Sequence, residues 1–250
     1  MDVANDPRFL VLVRRVPVPV TSLTMIASRK HGFIFIKTKK TAGTSIELAL
    51  GPFCGPDDIF TPISARYDLQ RFRETGVRAQ RFTTPDLAKR YLRALNKGSP
   101  KLLKAVLREV EASGFWAHAR PGAIREMVGP FWETAFRFTS ERHPYEKALS
   151  LAAMTGKELE SVVFNDTRYV GHPWYLEDGK LIVDRVILHD NLARDFAQVL
   201  THLGLPSTDL PHARQTDRDR RPAGEQMTAR QRAFVYEQCA PEFELFGWER

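Results

Sequence analysis

Hydrophobic positions along this chain change period at a few defined places, and those places set out the elements. Gly32 to Lys37, "GFIFIK", is a short apolar run rich in Phe and Ile and reads as a buried strand. Gly43 to Leu50, "GTSIELAL", resumes with helix formers, so the order is strand, loop, helix. The same order returns where Phe136 and Phe138 alternate with polar neighbours and Pro144 opens a helix. Between these units, Thr84 before Pro85 and Ser99 before Pro100 each pair an N-cap residue with a proline at the first helical position. Helices near 85–97 and 100–113 are predicted, closed by Gly98 and Gly114. A further helix is predicted from Pro121 to Gly129, with Ile124, Met127 and Val128 on its apolar side.

Later signals are of the same kind. Asp178-Gly179 sits between two β-rich runs in "WYLEDGKLIVDRVIL" and predicts a hairpin, with Asp184 facing solvent. "NLARDFAQVLTHLGLP" reads as an amphipathic helix ended by Gly204 and Pro206, and "TARQRAFVYEQCAPEFELFG" as a terminal helix capped by Thr228. "GPFCGPDDIFTP" breaks the first helix, and the basic stretch "HARQTDRDRRPAGEQ" reads as mobile. Strand-loop-helix units predict an α/β fold: three layers, α/β/α, around a largely parallel central sheet. One domain over 1–250 suffices, with 60–114 as a helical insertion on the acceptor side or as a lid.

Composition narrows the class. With 250 residues, 43% hydrophobic and 27% charged, the chain is neither collagen-like nor disordered. Its formal charge of +7 favours anionic partners. The apolar run in "PRFLVLVRRVPVPV" is too short for a secretory core or a membrane span, so a cytoplasmic location and no membrane span are expected. Cys54 and Cys239 have no metal-ligand spacing and read as reduced, buried thiols. His31, His143, His172, His189, His202 and His212 read as structural or solvated.

A loop that joins a strand to a helix N-terminus presents backbone N–H groups and the positive end of the helix dipole. Here Lys37, Lys39 and Lys40 add charge, and Thr41, Thr44 and Ser45 add hydroxyl donors. The ATP-binding pattern G-x-x-x-x-G-K-[ST] is absent, because lysine precedes the glycine, which weighs against a kinase or GTPase.

"KTAGTS" (Lys40 to Ser45) instead resembles the 5′-phosphosulfate loop of sulfotransferases that use 3′-phosphoadenosine 5′-phosphosulfate (PAPS). "ERHPYEKALS" supplies Arg142 and Ser150, with Pro144 and Tyr145 between, and is similar to that family's second signature. The likeness, chiefly to bacterial members and the Golgi carbohydrate sulfotransferases, spans roughly residues 32–58 and 115–250. Lys39 departs from it, standing where many relatives have proline. The resemblance implies a P-loop-like sulfotransferase fold and transfer of a sulfuryl group from PAPS to a hydroxyl or amine of a carbohydrate or small metabolite. PAP, the 3′,5′-bisphosphate, is the product, and no metal or nucleic acid is required. It implies that Lys39, Lys40, Thr41, Ala42, Gly43, Thr44 and Ser45 hold the 5′ end and that Arg142 and Ser150 hold the 3′-phosphate. Arg220 and Arg221, with Arg218, read either as a mobile flap that closes over that phosphate or as a solvated charge run. Lys40 would stabilise the leaving group and His118 would act as base.

Two competitors stand beside it: an ATP- and Mg²⁺-requiring P-loop-like kinase, and a basic nucleic-acid-binding module without catalysis. The second needs aromatics interleaved with a basic stripe or a recognition helix, and neither is found. The arginines from Arg66 to Arg108 either recognise an acidic acceptor or keep two surface helices soluble, and their spread around those helices favours the second.

Overall fold

The computed structural model describes residues 25–80, 82, 84–112, 120–211 and 221–250. Its centre is a five-stranded sheet in the order β3-β1-β2-β4-β7. β1 (Met25–Ser28) runs antiparallel to β2 (Phe33–Ile36), because the four residues between them allow only a tight return; Gly32 sits there at φ 68. β3 (Ile59–Phe60) pairs antiparallel with β1 on its other side. β4 (Phe136–Glu141) and β7 (Arg185–Leu188) extend the sheet from β2, both in parallel. The sheet is therefore mixed, with a parallel half that carries the site.

Both faces are covered, as the unbroken apolar run of β2 demands. Phe33 and Phe35 pack with Ile46 and Leu50 of α1 (Gly43–Leu50) and with Phe196 and Val199 of α9 (Leu192–His202). Ile34 and Ile36 face the other way, onto Ile124 and Val128 of α5 (Pro121–Val128) and Trp132 of the single-turn α6 (Phe131–Thr134).

α2 (Ala65–Thr75), α3 (Pro85–Asn96) and α4 (Pro100–Ala112) form a unit with its own core of Leu69, Tyr91, Leu103, Leu107 and Val110. α3 and α4 start at their prolines as expected. α2 was hidden behind a Gly/Pro-rich lead-in, although Ser64 caps it and Gly76 closes it at φ 69. A fourth cluster joins α7 (Pro144–Thr155), α8 (Leu159–Asn165) and α10 (Ala229–Phe246) through Tyr145, Leu151, Val162, Val235 and Phe243. α10 kinks at Cys239, where Pro241 two residues on has no N–H to donate.

The hairpin forms, with Asp178 at φ 50 and Gly179 at φ 73, but it is only β5 (Leu176–Glu177) against β6 (Lys180–Leu181). Its second run does not continue: the chain turns at 182–184, and Arg185–Leu188 joins the main sheet instead. Asp184 marks that junction. It is exposed, but its carboxylate accepts from the Arg137 backbone N–H at 2.7 Å and pairs with the guanidinium at 3.1 Å. Among the described residues no helix is long and apolar enough to cross a membrane.

Candidate anion-binding site at the sheet edge

Parallel neighbours send their outgoing loops from one edge of a sheet, and α/β proteins bind ligands there. β2 and β4 are in register with Ile36 opposite Thr139, and the Thr139 hydroxyl donates to the Ile36 carbonyl at 2.7 Å. Just beyond, Thr41 Oγ1 lies 2.8 Å from Ser140 Oγ, and the Thr38 hydroxyl donates to the Ser140 carbonyl. The loop carrying Lys40 and the turn carrying Arg142 therefore lie side by side, although about a hundred residues separate them.

The loop's three lysines divide. Lys37 turns inward, is buried, and pairs with fully buried Glu47 while donating to Thr44 Oγ1 at 3.2 Å. Its charge is met inside the fold, which corrects the reading that it adds charge to the loop. Gly43 is required by this pair, since a Cβ there would stand 2.6 Å from Lys37 Cγ. Lys39 and Lys40 stay half-exposed above. Lys40 and Ala42 both lie at φ 66, the left-handed region, which for such residues costs on the order of 1 kcal/mol each and recurs at ligand cradles. Ala42 begins α1 through its carbonyl, which accepts from Ser45 N at 2.9 Å. No side chain caps α1 and no acidic residue sits in its first turn, so the positive helix end would favour an anion.

The hydroxyls divide as well. Thr41 is fully buried and bonds Thr38 and Ser140, which pins the loop. Thr44 accepts from the Lys37 ammonium and keeps its own proton to donate. Ser45 is buried in the first turn of α1.

Arg142 follows β4, half-buried, with Nη2 at 2.7 Å from Glu146 Oε2. Ser150 is buried on α7, two turns into that helix. Two arginines that sequence reasoning passed over adjoin the loop. Burial, then the Arg168 and Arg120 guanidinia, hold the Lys39 amine below its ordinary value, against the opposing pull of Asp166. Arg168 is gripped bidentately by Asp166, and Arg120 lies over the Trp174 ring at 4.3 Å with Nη1 on the Pro173 carbonyl at 3.2 Å. The available signal for Arg120 was its place directly before Pro121, at a helix start.

Beneath the turn lies a buried charge network. Lys147 pairs with Glu141 at 2.7 Å, and Glu242 of α10 accepts from the backbone N–H of Gly171 at 2.8 Å and of His172 at 3.1 Å. Glu242 also lies 2.8 Å from His172 Nδ1. Burial alone pushes the Glu242 carboxyl up, but the bonds from His172, the charge of Lys147 and the Gly171 N–H more than offset it, so the carboxyl sits below its ordinary 4.5. A depressed folded-state pKa contributes stability above the unfolded value that is lost as pH falls through the folded one. We expect chemical denaturation to show stability falling below about pH 4.5 more steeply in wild type than in Glu242→Gln; superimposed slopes would remove Glu242 from that role.

His118 and Arg220, with Arg218, lie outside the described residues. Arg221 is exposed at the start of the final described stretch, and its carbonyl accepts from Gln226 Nε2 at 2.6 Å. Of the histidines, His143 caps α7 through Nδ1 and His172 serves Glu242. Both cysteines are free; Cys239 is buried and Cys54 partly so, and burial pushes the Cys54 thiol up to about 12. The arrangement sets the loop of Lys39 and Lys40, the uncapped start of α1 and the turn of Arg142 together at one edge of an α/β sheet, a candidate anion cradle. No family model, curated protein or solved structure matches the chain.

Proposed function

We propose that the protein is a sulfotransferase that moves a sulfuryl group from PAPS to an acceptor hydroxyl or amine. The observation that carries this reading is the contact of the two signature turns, Thr41 against Ser140, which puts Lys40 and Arg142 on adjoining loops of one edge. A donor with phosphate at one end and phosphosulfate at the other needs two such anion sites close together.

The residues fit the donor in kind. The uncapped start of α1, the Thr44 hydroxyl, Lys39 and Lys40 suit the phosphosulfate; Arg142 and Ser150 suit the 3′-phosphate. In the transfer, the bond between sulfur and the bridging phosphate oxygen breaks while a bond from sulfur to the acceptor oxygen or nitrogen forms. The electron pair of the broken bond leaves on the phosphate, where Lys40 offsets the charge, and the acceptor's proton passes to His118. Such a reaction depends chiefly on positioning and electrostatics.

Titration calorimetry with PAP tests the reading, and wild-type protein that binds none of it refutes the assignment. With Arg142→Ala, PAP affinity is expected to fall about 30-fold, the value of one charge-assisted contact, and Glu146 is left to repel the phosphate. An unchanged affinity would show that Arg142 does not touch the nucleotide. Dependence on ATP and Mg²⁺, with no response to PAP, would favour the kinase.

A further inference from the structure

The positive charge is not shared evenly along the chain. Residues 60–112 hold 12 basic and 5 acidic side chains, whereas the remainder holds 25 of each. The whole excess of +7 therefore belongs to the segment that builds the three-helix unit, and the body bearing the anion cradle is neutral in sum.

Within that unit Arg78, Lys89, Arg93 and Lys97 are spread over the surface, but five other exposed cations on α2 and α4 are ordered. Arg66 and Arg73 on α2 are seven residues apart; Lys101, Lys104 and Arg108 on α4 are three and four apart. Each set lies on a single stripe of its helix, by the 3.6-residue repeat. The two stripes meet at one cleft of about 560 Å³ between α2 and α4, lined by Arg66, Arg73 and Lys104 and floored by Ala65, Leu69 and Pro100. The acidic group at the cleft, Glu74, accepts from Gln70 at 3.0 Å.

We propose that this groove is a docking surface for a linear anionic polysaccharide, apart from the sheet-edge cradle and standing whether or not the transfer reading holds. Cationic rims above a floor of aliphatic side chains match a chain that carries carboxylates or sulfates on its edges and C–H groups on its ring faces. A single-stranded nucleic acid asks for exposed aromatics on which bases stack. The described aromatics of these helices, Tyr67, Phe72 and Tyr91, are buried or half-buried. A membrane surface is flat, whereas this site is concave.

The test is binding of a fluorescent oligogalacturonate decamer, followed by anisotropy at low and moderate salt. Wild type is expected to bind with a strong salt dependence. The triple variant Arg66→Ser, Arg73→Ser, Lys104→Ser should bind about 10-fold or more weakly and with a shallower salt slope, as lost ion contacts release fewer counterions. A control of equal charge change at exposed sites elsewhere, Lys157→Ser, Lys180→Ser, Arg230→Ser, should stay within about 2-fold. Equal weakening by both triples, absence of binding, or displacement by oligothymidylate of equal charge as effective as by unlabelled oligogalacturonate would each overturn the proposal. PAP calorimetry on the same variants separates it from the transfer reading, since neither triple touches the cradle.

Discussion

Gly171→Ala is expected to destabilise the protein by about 3–5 kcal/mol, a large share of the stability a domain ordinarily has. The backbone itself does not forbid alanine, since φ is −110. The obstacle is the space: a Cβ would stand 1.9 Å from Glu141 Oε2 and 2.5 Å from Lys147 Nζ, inside an ion pair whose partners are both fully buried. To admit a methyl group the Glu141 carboxylate and the Lys147 ammonium must both shift inside a fully buried site, and separating such a pair costs about 3–5 kcal/mol. The same movement disturbs the Gly171 N–H bond to Glu242, so the loop, β4, α7 and α10 loosen together. Denaturant titration measures the loss; a midpoint equal to that of wild type would mean the loop shifts freely and the packing argument is wrong.

Lys40→Ala is expected to lower transfer by about a thousandfold while PAP affinity changes by less than about tenfold, because charge on the leaving phosphate develops mainly in the transition state. Alanine inherits the φ of 66 that Lys40 already holds, so stability should move little and a thermal scan separates chemistry from folding. Lys40→Arg should not restore the rate, since a planar fork cannot occupy the place of a compact ammonium. A rate loss matched by an equal loss of affinity would reduce Lys40 to a binding group, and an unaffected rate would end its catalytic role.

Where punctuation was strong, the sequence was legible. Thr84-Pro85, Ser99-Pro100, Pro121 and Pro144 mark helix starts that the structure keeps, and the strand, loop and helix around Lys40 stand where the apolar pattern put them. Short pieces were not legible. β1 and β3, of four and two residues, owe their state to pairing with distant partners, and local preference does not show that. The run after Asp178-Gly179 looked like one strand because Lys180–Leu188 is β-rich throughout; a bend at Asp184, fixed by Arg137, divides it between two sheets. In the site, residue type alone could not tell Lys37 from Lys39 and Lys40. Only Glu47, on the next helix, shows which ammonium is turned inward. Arg120 and Arg168 were missed for the matching reason: they lie in connecting segments and reach the loop only through the fold.

The loop's attachments bear on how it would meet a ligand. It is stapled at its start by Lys37 to Glu47 and at its middle by Thr41 to Ser140, so the backbone amides stand in place beforehand. An arriving anion then has only two flexible ammonium arms, those of Lys39 and Lys40, to bring to rest. Association should lose little conformational freedom, and the affinity should follow ionic attraction more than any reshaping of the chain.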